Sequence, residues 1–308
     1  GNPVSQVRRA QAQALADAVT VDAREEAPAF RAIDDRLSLS LTVSEPKDDP
    51  DYRYFRLEIL RKPESALAVM PKDVVLIQDV SGSIGADRLA QGKAALKAAL
   101  ANVLRAGDRF NVFAFRDVTL TPSDAWLTYD PASRARAETF IDSLRAIGNT
   151  DLFLLLQDIL TLPRDPARPT IAVVVTDGEP TVGVTGTTRI IGEFTRMNQG
   201  RIAVYAFGAK RGDPYFLDML CYANRGENTS AAGDVAGLAD ELAPVFESIR
   251  NPVMKDLTLT FDARSGGEIH PRALTHLYAD RPLVVYGRVP KATRGVTCQL
   301  TGRSAEAP

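Results

Sequence analysis

Histidine, cysteine and tryptophan are nearly missing from this chain of 308 residues, which holds 2 His, 2 Cys and 1 Trp. Two cysteines cannot build a disulfide framework, and Cys221 and Cys298, falling in a helix and a strand pattern, read as free buried thiols. His270 and His276 have no Cys or acidic neighbours at zinc-site spacing, so neither a zinc centre nor a histidine-activated serine is indicated. No apolar run reaches the ~18 residues needed to cross a bilayer. The richest, Asp151 to Leu162, is interrupted by Gln157 and Asp158 and reads as a buried helix. The formal net charge is only -2, and no Lys/Arg cluster interleaves with aromatics, which argues against a nucleic-acid partner. A GxxxxGK[ST] loop for nucleotide phosphates is also missing. What remains is an ordinary globular composition, 45% hydrophobic and 25% charged, sized for one large or two moderate domains. The chain opens Gly1-Asn2-Pro3 without methionine, as a processed product would, and is compatible with a removed signal peptide or anchor.

The run from Lys72 to Ile84, KDVVLIQDVSGSI, carries the most information. Val74, Val75, Leu76 and Ile77 suit a strand covered on both faces, and Asp79, Ser81 and Ser83 follow where such a strand emerges. A second apolar strand, Ile171 to Thr176, ends in Asp177 in the same way, and Thr150 lies between the two in GNTD. Together these residues offer the oxygens of one divalent-cation site. Mg²⁺ is small and hard, takes six oxygens near octahedral geometry, and is usually held by one or two carboxylates while keeping several waters. Asp79 and Asp177 supply charge; the hydroxyls of Ser81, Ser83 and Thr150 fill positions without neutralising the ion further. Such an ion stays electrophilic, and a partner's Asp or Glu could replace a water on it. Taken singly, these residues could equally be ordinary turn and cap residues. Asp151 and Glu179 flank the site as surface or supporting groups, and Gly178 suits a tight turn.

Strand and helix patterns alternate through the centre of the chain, which predicts an open, doubly wound, mostly parallel sheet. Strands are expected at Arg109 to Phe115, Trp126 to Tyr129 and Ile202 to Phe207. Helices are expected at Asp87 to Leu104 with Gly107 ending it, after the cap Asp130 with Pro131 first, at Leu152 to Leu162, Thr188 to Met197, from Asp213-Pro214, and at Asp234 to Ile249 with a kink at Pro244. In such sheets ligands bind beyond the carboxyl ends of strands where strand order reverses, and Asp79 and Asp177 both stand at strand ends.

DVSGSI, GNTD and VVVTDGEP resemble the metal-ion-dependent adhesion site of von Willebrand factor type A domains. The pattern maps onto Asp79, Ser81, Ser83, Thr150 and Asp177 with no member missing. The resemblance implies a Rossmann-like sheet of strand order 3-2-1-4-5-6 and a bound Mg²⁺, with Mn²⁺ or Ca²⁺ as alternatives. It further implies that the serines coordinate directly, that the acids often act through water, and that the threonine enters or leaves the shell with conformation.

The flanks alternate at period two. Arg36 to Val43 and Tyr52 to Leu60 read as a hairpin around EPKDDPD, and Asp256 to Phe261, Pro282 to Val289 and Gly295 to Leu300 read as further strands. Short strands in twos and threes are marginal alone. The expected organisation is therefore one β-sandwich from residues 36–62 and 252–304, with a type A domain at 63–251 inserted through Lys62-Pro63 and Asn251-Pro252. The stretch 1–35 is expected as a partly helical arm, since Val4 to Val19 is rich in Ala and Gln. The arrangement is similar to the inserted type A domain of integrin β chains, and LYADRPLVVYGRV resembles the segment after the type A domain in inter-alpha-trypsin inhibitor heavy chains and their bacterial relatives.

These readings lead to a non-enzymatic, metal-dependent protein-interaction module that engages a partner's acidic side chain, expected outside the cell, in a periplasm or on a surface, with the cytoplasm as the alternative. One rival is a haloacid-dehalogenase-type phosphatase with Asp79 as nucleophile. That chemistry wants an acid or Thr two residues on, where Ser81 stands, and a further acidic pair that TDGEP does not supply. The other rival is a partner subunit of an ATPase complex, against which the flanking strands speak.

Overall fold

The structure, a computed structural model, describes residues 4–7, 20–21, 30–65, 67–176, 179–208, 214–230, 238–261 and 266–305. In chain order its elements begin with β1 (Val4–Val7), β2 (Thr20–Val21), β3 (Phe30–Ala32), β4 (Leu37–Ser44), β5 (Tyr52–Arg61), β6 (Asp73–Asp79), α1 (Gly85–Asn102), β7 (Arg109–Phe115), β8 (Thr119–Leu120) and β9 (Leu127–Thr128). They continue with α2 (Pro131–Ser143), α3 (Leu152–Ile159), β10 (Thr170–Thr176), α4 (Thr187–Asn198), β11 (Ile202–Gly208), α5 (Pro214–Ala223), β12 (Asn228–Ser230) and α6 (Leu238–Ser248). The chain then closes with β13 (Pro252–Phe261), β14 (Glu268–His270), β15 (Leu277–Tyr278), β16 (Leu283–Pro290) and β17 (Thr297–Ser304). It divides into two compact units, residues 1–70 with 251–308, and residues 71–250.

The second unit is an α/β layer structure around a mostly parallel sheet in the order β12-β11-β10-β6-β7-β8, with β9 also on β7. Renumbered along this unit, that is the expected 3-2-1-4-5-6, with only the short β8 and β9 antiparallel. Every residue of β6, β10 and β11 is buried, as strands sandwiched between helix layers must be, which is why they read as continuous apolar runs. Leu76 stands between Val173 and Val112 in register. One face packs Val75, Ile77, Phe113 and Val174 against Leu155, Leu156, Ile190, Phe194, Phe216 and Leu220 from the helices. Helix α2 starts where Asp130 accepts from Ser133 N at 2.7 Å with Pro131 in its first turn, satisfying one of the amides a helix start leaves open.

Several boundaries differ from the sequence reading. Helix α1 begins at Gly85, straight out of a 3₁₀ turn at Gly82–Ile84, and ends at Asn102. Gly107, at φ +93, serves the turn before β7 instead of closing that helix. Helix α3 stops at Ile159, and the edge strand around Trp126 shrinks to Leu127–Thr128. Asp213 and residues 231–237, where two helix starts were expected, lie outside the described residues; Pro244 does lie inside α6.

In the first unit β4 and β5 form an antiparallel hairpin, and β5 pairs along its length with β16, so residues from both flanks share one sheet, ordered β14-β16-β5-β4. A second sheet runs β15-β13-β17-β1-β3. Phe55, Leu57, Ile59, Val285 and Val289 of the first sheet meet Val253, Leu257, Cys298 and Leu300 of the second in one core. Leu67 belongs to that core and Met70 N donates to Pro252 O at 2.7 Å, so the division falls after residue 70 and not at Lys62-Pro63. Val4–Val7, part of the stretch expected to be helical, is a strand on β17; ladder pairing overrides a weak helix propensity. Residues 8–19 lie outside the described residues.

Candidate metal centre at the sheet switch point

Strand order reverses between β6 and β10, which pair in parallel, so the loops leaving their carboxyl ends converge on one crevice. The loop after β6 carries Ser81, whose extended backbone (φ -65, ψ 162) caps the 3₁₀ turn holding Ser83. Gly85, at φ +72 and ψ 165, then redirects the chain into α1, a conformation that costs glycine little. Backbone bonds tie the neighbouring loops to this turn. Gly82 N donates to Gly148 O at 2.9 Å, Ile147 N to Val80 O at 2.9 Å, and Val80 N to Phe115 O at 2.9 Å. The Thr150 segment is tied in turn to the loop after β10: Thr181 N donates to Thr150 O at 2.9 Å, and Thr150 N to Thr181 Oγ1 at 2.9 Å.

Asp79 is fully buried, and both of its oxygens are oriented: Oδ1 accepts from Ser81 N at 2.9 Å and Oδ2 from Thr176 Oγ1 at 2.7 Å. Gln78 Nε2 bonds Asp79 O at 2.8 Å and so holds the strand end from below. Ser81 and Thr150 are 1% and 2% exposed, whereas Ser83 is exposed. The hydroxyls of Ser81 and Ser83 stand 3.0 Å apart. The result is a buried oxygen floor with one donor at an open rim. Asp177 and Gly178 lie outside the described residues. Asp151 turns its Oδ1 to Leu154 N at 3.0 Å and caps α3, and Glu179 is exposed.

Thr176 and Thr181, which the sequence reading did not single out, orient Asp79 and Thr150. Thr176 precedes Asp177 and ends a wholly buried strand, a position where a hydroxyl needs a partner; that was the available signal. Thr181 carried none. The loops also expose aliphatic surface: Ile147, whose N donates to Val80 O, is 58% exposed, and Val118 is 42% exposed. Among the described residues no group of three or more His, Cys, Asp and Glu side chains is placed to hold a metal ion.

The sequence profile of the von Willebrand factor type A domain matches residues 72–228. Inter-alpha-trypsin inhibitor heavy chain H1 of Bos taurus is 26% identical over 232 residues, covering 72% of this chain and 25% of that protein. Heavy chain H4 of Homo sapiens is 26% identical over 236 residues, covering 72% and 25%. The chain thus spans about a quarter of the length of these curated relatives. In fold it is similar to a von Willebrand factor type A protein from Catenulispora acidiphila, with TM-score 0.63 and 18% identity over 89% of this chain and 66% of that one. It is also similar to the ArnB paralog VWA2 from Sulfolobus acidocaldarius, with TM-score 0.55 and 14% identity over 83% and 67%.

Proposed function

Because the chain belongs to the von Willebrand factor type A domain family, we propose that it is a non-enzymatic protein-interaction module whose switch-point crevice binds Mg²⁺. The ligands would be Asp79, Ser81, Ser83, Thr150 and Asp177. The observation that carries this reading is the spacing of the two serine hydroxyls. With Mg–O near 2.1 Å, neighbouring corners of an octahedron are about 3.0 Å apart, and Ser81 Oγ to Ser83 Oγ is 3.0 Å. The donors are hard oxygens, which suit Mg²⁺ and disfavour thiophilic metals. Asp79 Oδ1 accepts from Ser81 N and Oδ2 from Thr176 Oγ1, which orient the carboxylate, and a carboxylate oxygen can accept more than one contact.

Bound there, the ion would supply a Lewis-acidic position facing the rim, where a partner's Asp or Glu could displace water. Ile147 and Val118 would then give that partner apolar contact beside its carboxylate, the combination of apolar centre and polar anchor that protein interfaces use. Calorimetry of Mg²⁺ binding tests the reading. Asp79→Ala should abolish metal binding while the fold persists, at a cost of about 1–3 kcal/mol for removing the carboxylate to which Ser81 N donates. Unchanged metal affinity in that variant would sink the assignment. The partner follows from affinity capture on native extract with and without chelator, and fractionation of native cells tests the exterior, periplasmic or surface placement. Among the described residues no helix is long and apolar enough to cross a membrane.

A further inference from the structure

Among the described residues, strand β4 is an outermost strand of its sheet, and no described strand pairs with its second edge. It spans 8 residues and pairs with β5 at every one of them. The outermost strands β3, β8, β12, β14 and β15 of the three sheets are two or three residues long. Proteins normally protect a long edge with charge, proline or a bulge. Leu37–Ser44, LSLSLTVS, has no charge and no proline, and its register with β5 runs without a shift.

Backbone parity tells which groups face outward. Lys62 N donates to Arg36 O at 2.9 Å, so the carbonyl of residue 36 points to β5, and direction alternates along a strand. Leu37, Leu39, Leu41 and Val43 therefore present their N–H and C=O groups to the open edge. Their side chains lie on the core side, with Leu39, Leu41 and Val43 only partly buried, while Ser38, Ser40, Thr42 and Ser44 are exposed on the other face.

The sequence of this strand is nearly palindromic about Leu41: outward from it come Ser40 and Thr42, Leu39 and Val43, Ser38 and Ser44. We propose that β4 pairs antiparallel with β4 of a second copy of this chain about a two-fold axis at Leu41, joining two 4-stranded sheets into one. In that register Leu41 faces its symmetry mate and Leu39 faces Val43 through hydrogen-bonded pairs, so the half-buried aliphatics cover one another. Ser40 faces Thr42 in the closer, non-hydrogen-bonded pair, where hydroxyls can bond across strands. A two-fold interface needs a self-complementary surface, and here one strand supplies it.

Light scattering behind a sizing column, at chain concentrations up to about 100 µM where a small interface should associate, tests the pairing. The chain should elute as a concentration-dependent dimer with or without chelator. Ser40→Lys with Thr42→Lys, both on the exposed face, should leave a folded monomer with unchanged circular dichroism. An equimolar mixture with the Ser40→Glu, Thr42→Glu chain should restore the dimer. Ser40→Cys with Thr42→Cys should give a covalent dimer on mild oxidation, a readout independent of how the lysine variant folds. A chain that stays monomeric at that concentration, or a dimer that survives the paired lysines, would overturn the proposal. A dimer that vanishes with chelator would overturn it too, by assigning the association to the metal site.

Discussion

At φ +68, Gly183 occupies backbone space that L side chains rarely adopt, and a Cβ there would stand 2.2 Å from Asp151 Oδ2. That carboxylate is fixed because its other oxygen caps α3. Gly183→Ala should therefore cost about 1–2 kcal/mol in backbone strain and further stability from the displaced cap. A lower urea midpoint at unchanged m-value is the expected result; a midpoint equal to the parent's would mean the loop accommodates the methyl group. The two thiols behave differently from any surface group. Burial pushes Cys298 up to about 12 and Cys221 higher still, and both are free and buried. Since the thiolate is the nucleophile, native protein at pH 8 should take up almost no iodoacetamide, whereas unfolded protein should label at both positions. Sequence alone could place Asp79, Ser81 and Ser83 together, because they are adjacent in the chain. The roles of Thr176 on Asp79 and of Thr181 on Thr150 depend on which loops the fold brings within hydrogen-bond reach, and no local pattern encodes that.

Strand β6 starts from a buried ion pair at the end of the sheet opposite the candidate site. Lys72 Nζ lies 2.6 Å from Asp108 Oδ2 with both side chains 0% exposed, and Lys72 Nζ also donates to Val103 O at 2.9 Å. Burial pulls the Lys72 ammonium below its ordinary value, opposed by the attraction of Asp108. Asp108 additionally accepts from Lys72 N at 3.0 Å and Arg105 N at 3.1 Å, so it organises the turn between α1 and β7. Removing one partner of such a pair strands the other in a dry site. Asp108→Ala should cost about 3–5 kcal/mol, read from denaturant unfolding; a loss below about 1 kcal/mol would show that water reaches Lys72. The same scale explains what was legible. Strands β6, β10 and β11 announced themselves because every position is buried, and β4 and β5 because their faces alternate. Strands β8, β12, β14 and β15 are too short, at two or three residues, for any period to register. Gly107 misled for a related reason: a glycine after a helix pattern marks a left-handed turn without saying whether the helix has already ended.

The chain crosses from its first unit into the second after Met70 and returns at Asn251, and the first unit holds these two points together. Met70 N donates to Pro252 O at 2.7 Å, and Ala279 N to Asn251 O at 2.8 Å. An insertion whose entry and exit are already adjacent can be removed without reopening the host, since a short closing loop costs little extra entropy. The first unit's core, including Leu67, Val253, Val285 and Leu300, draws on residues from both ends of the chain. The second unit keeps its own core around Val75, Leu155, Val174 and Phe194. Replacing residues 71–250 by a short Gly/Ser bridge should leave a cooperatively unfolding β protein. Residues 71–250 expressed alone should fold and retain all five proposed metal ligands. Adding Mg²⁺ at about 100 times its dissociation constant should raise the stability of that fragment by about 2.7 kcal/mol, and should leave the bridged first unit unchanged. Scanning calorimetry of the two products with and without Mg²⁺ reads both outcomes. A Mg²⁺-dependent rise in the bridged protein, or none in the 71–250 fragment, would place the cation elsewhere in the molecule.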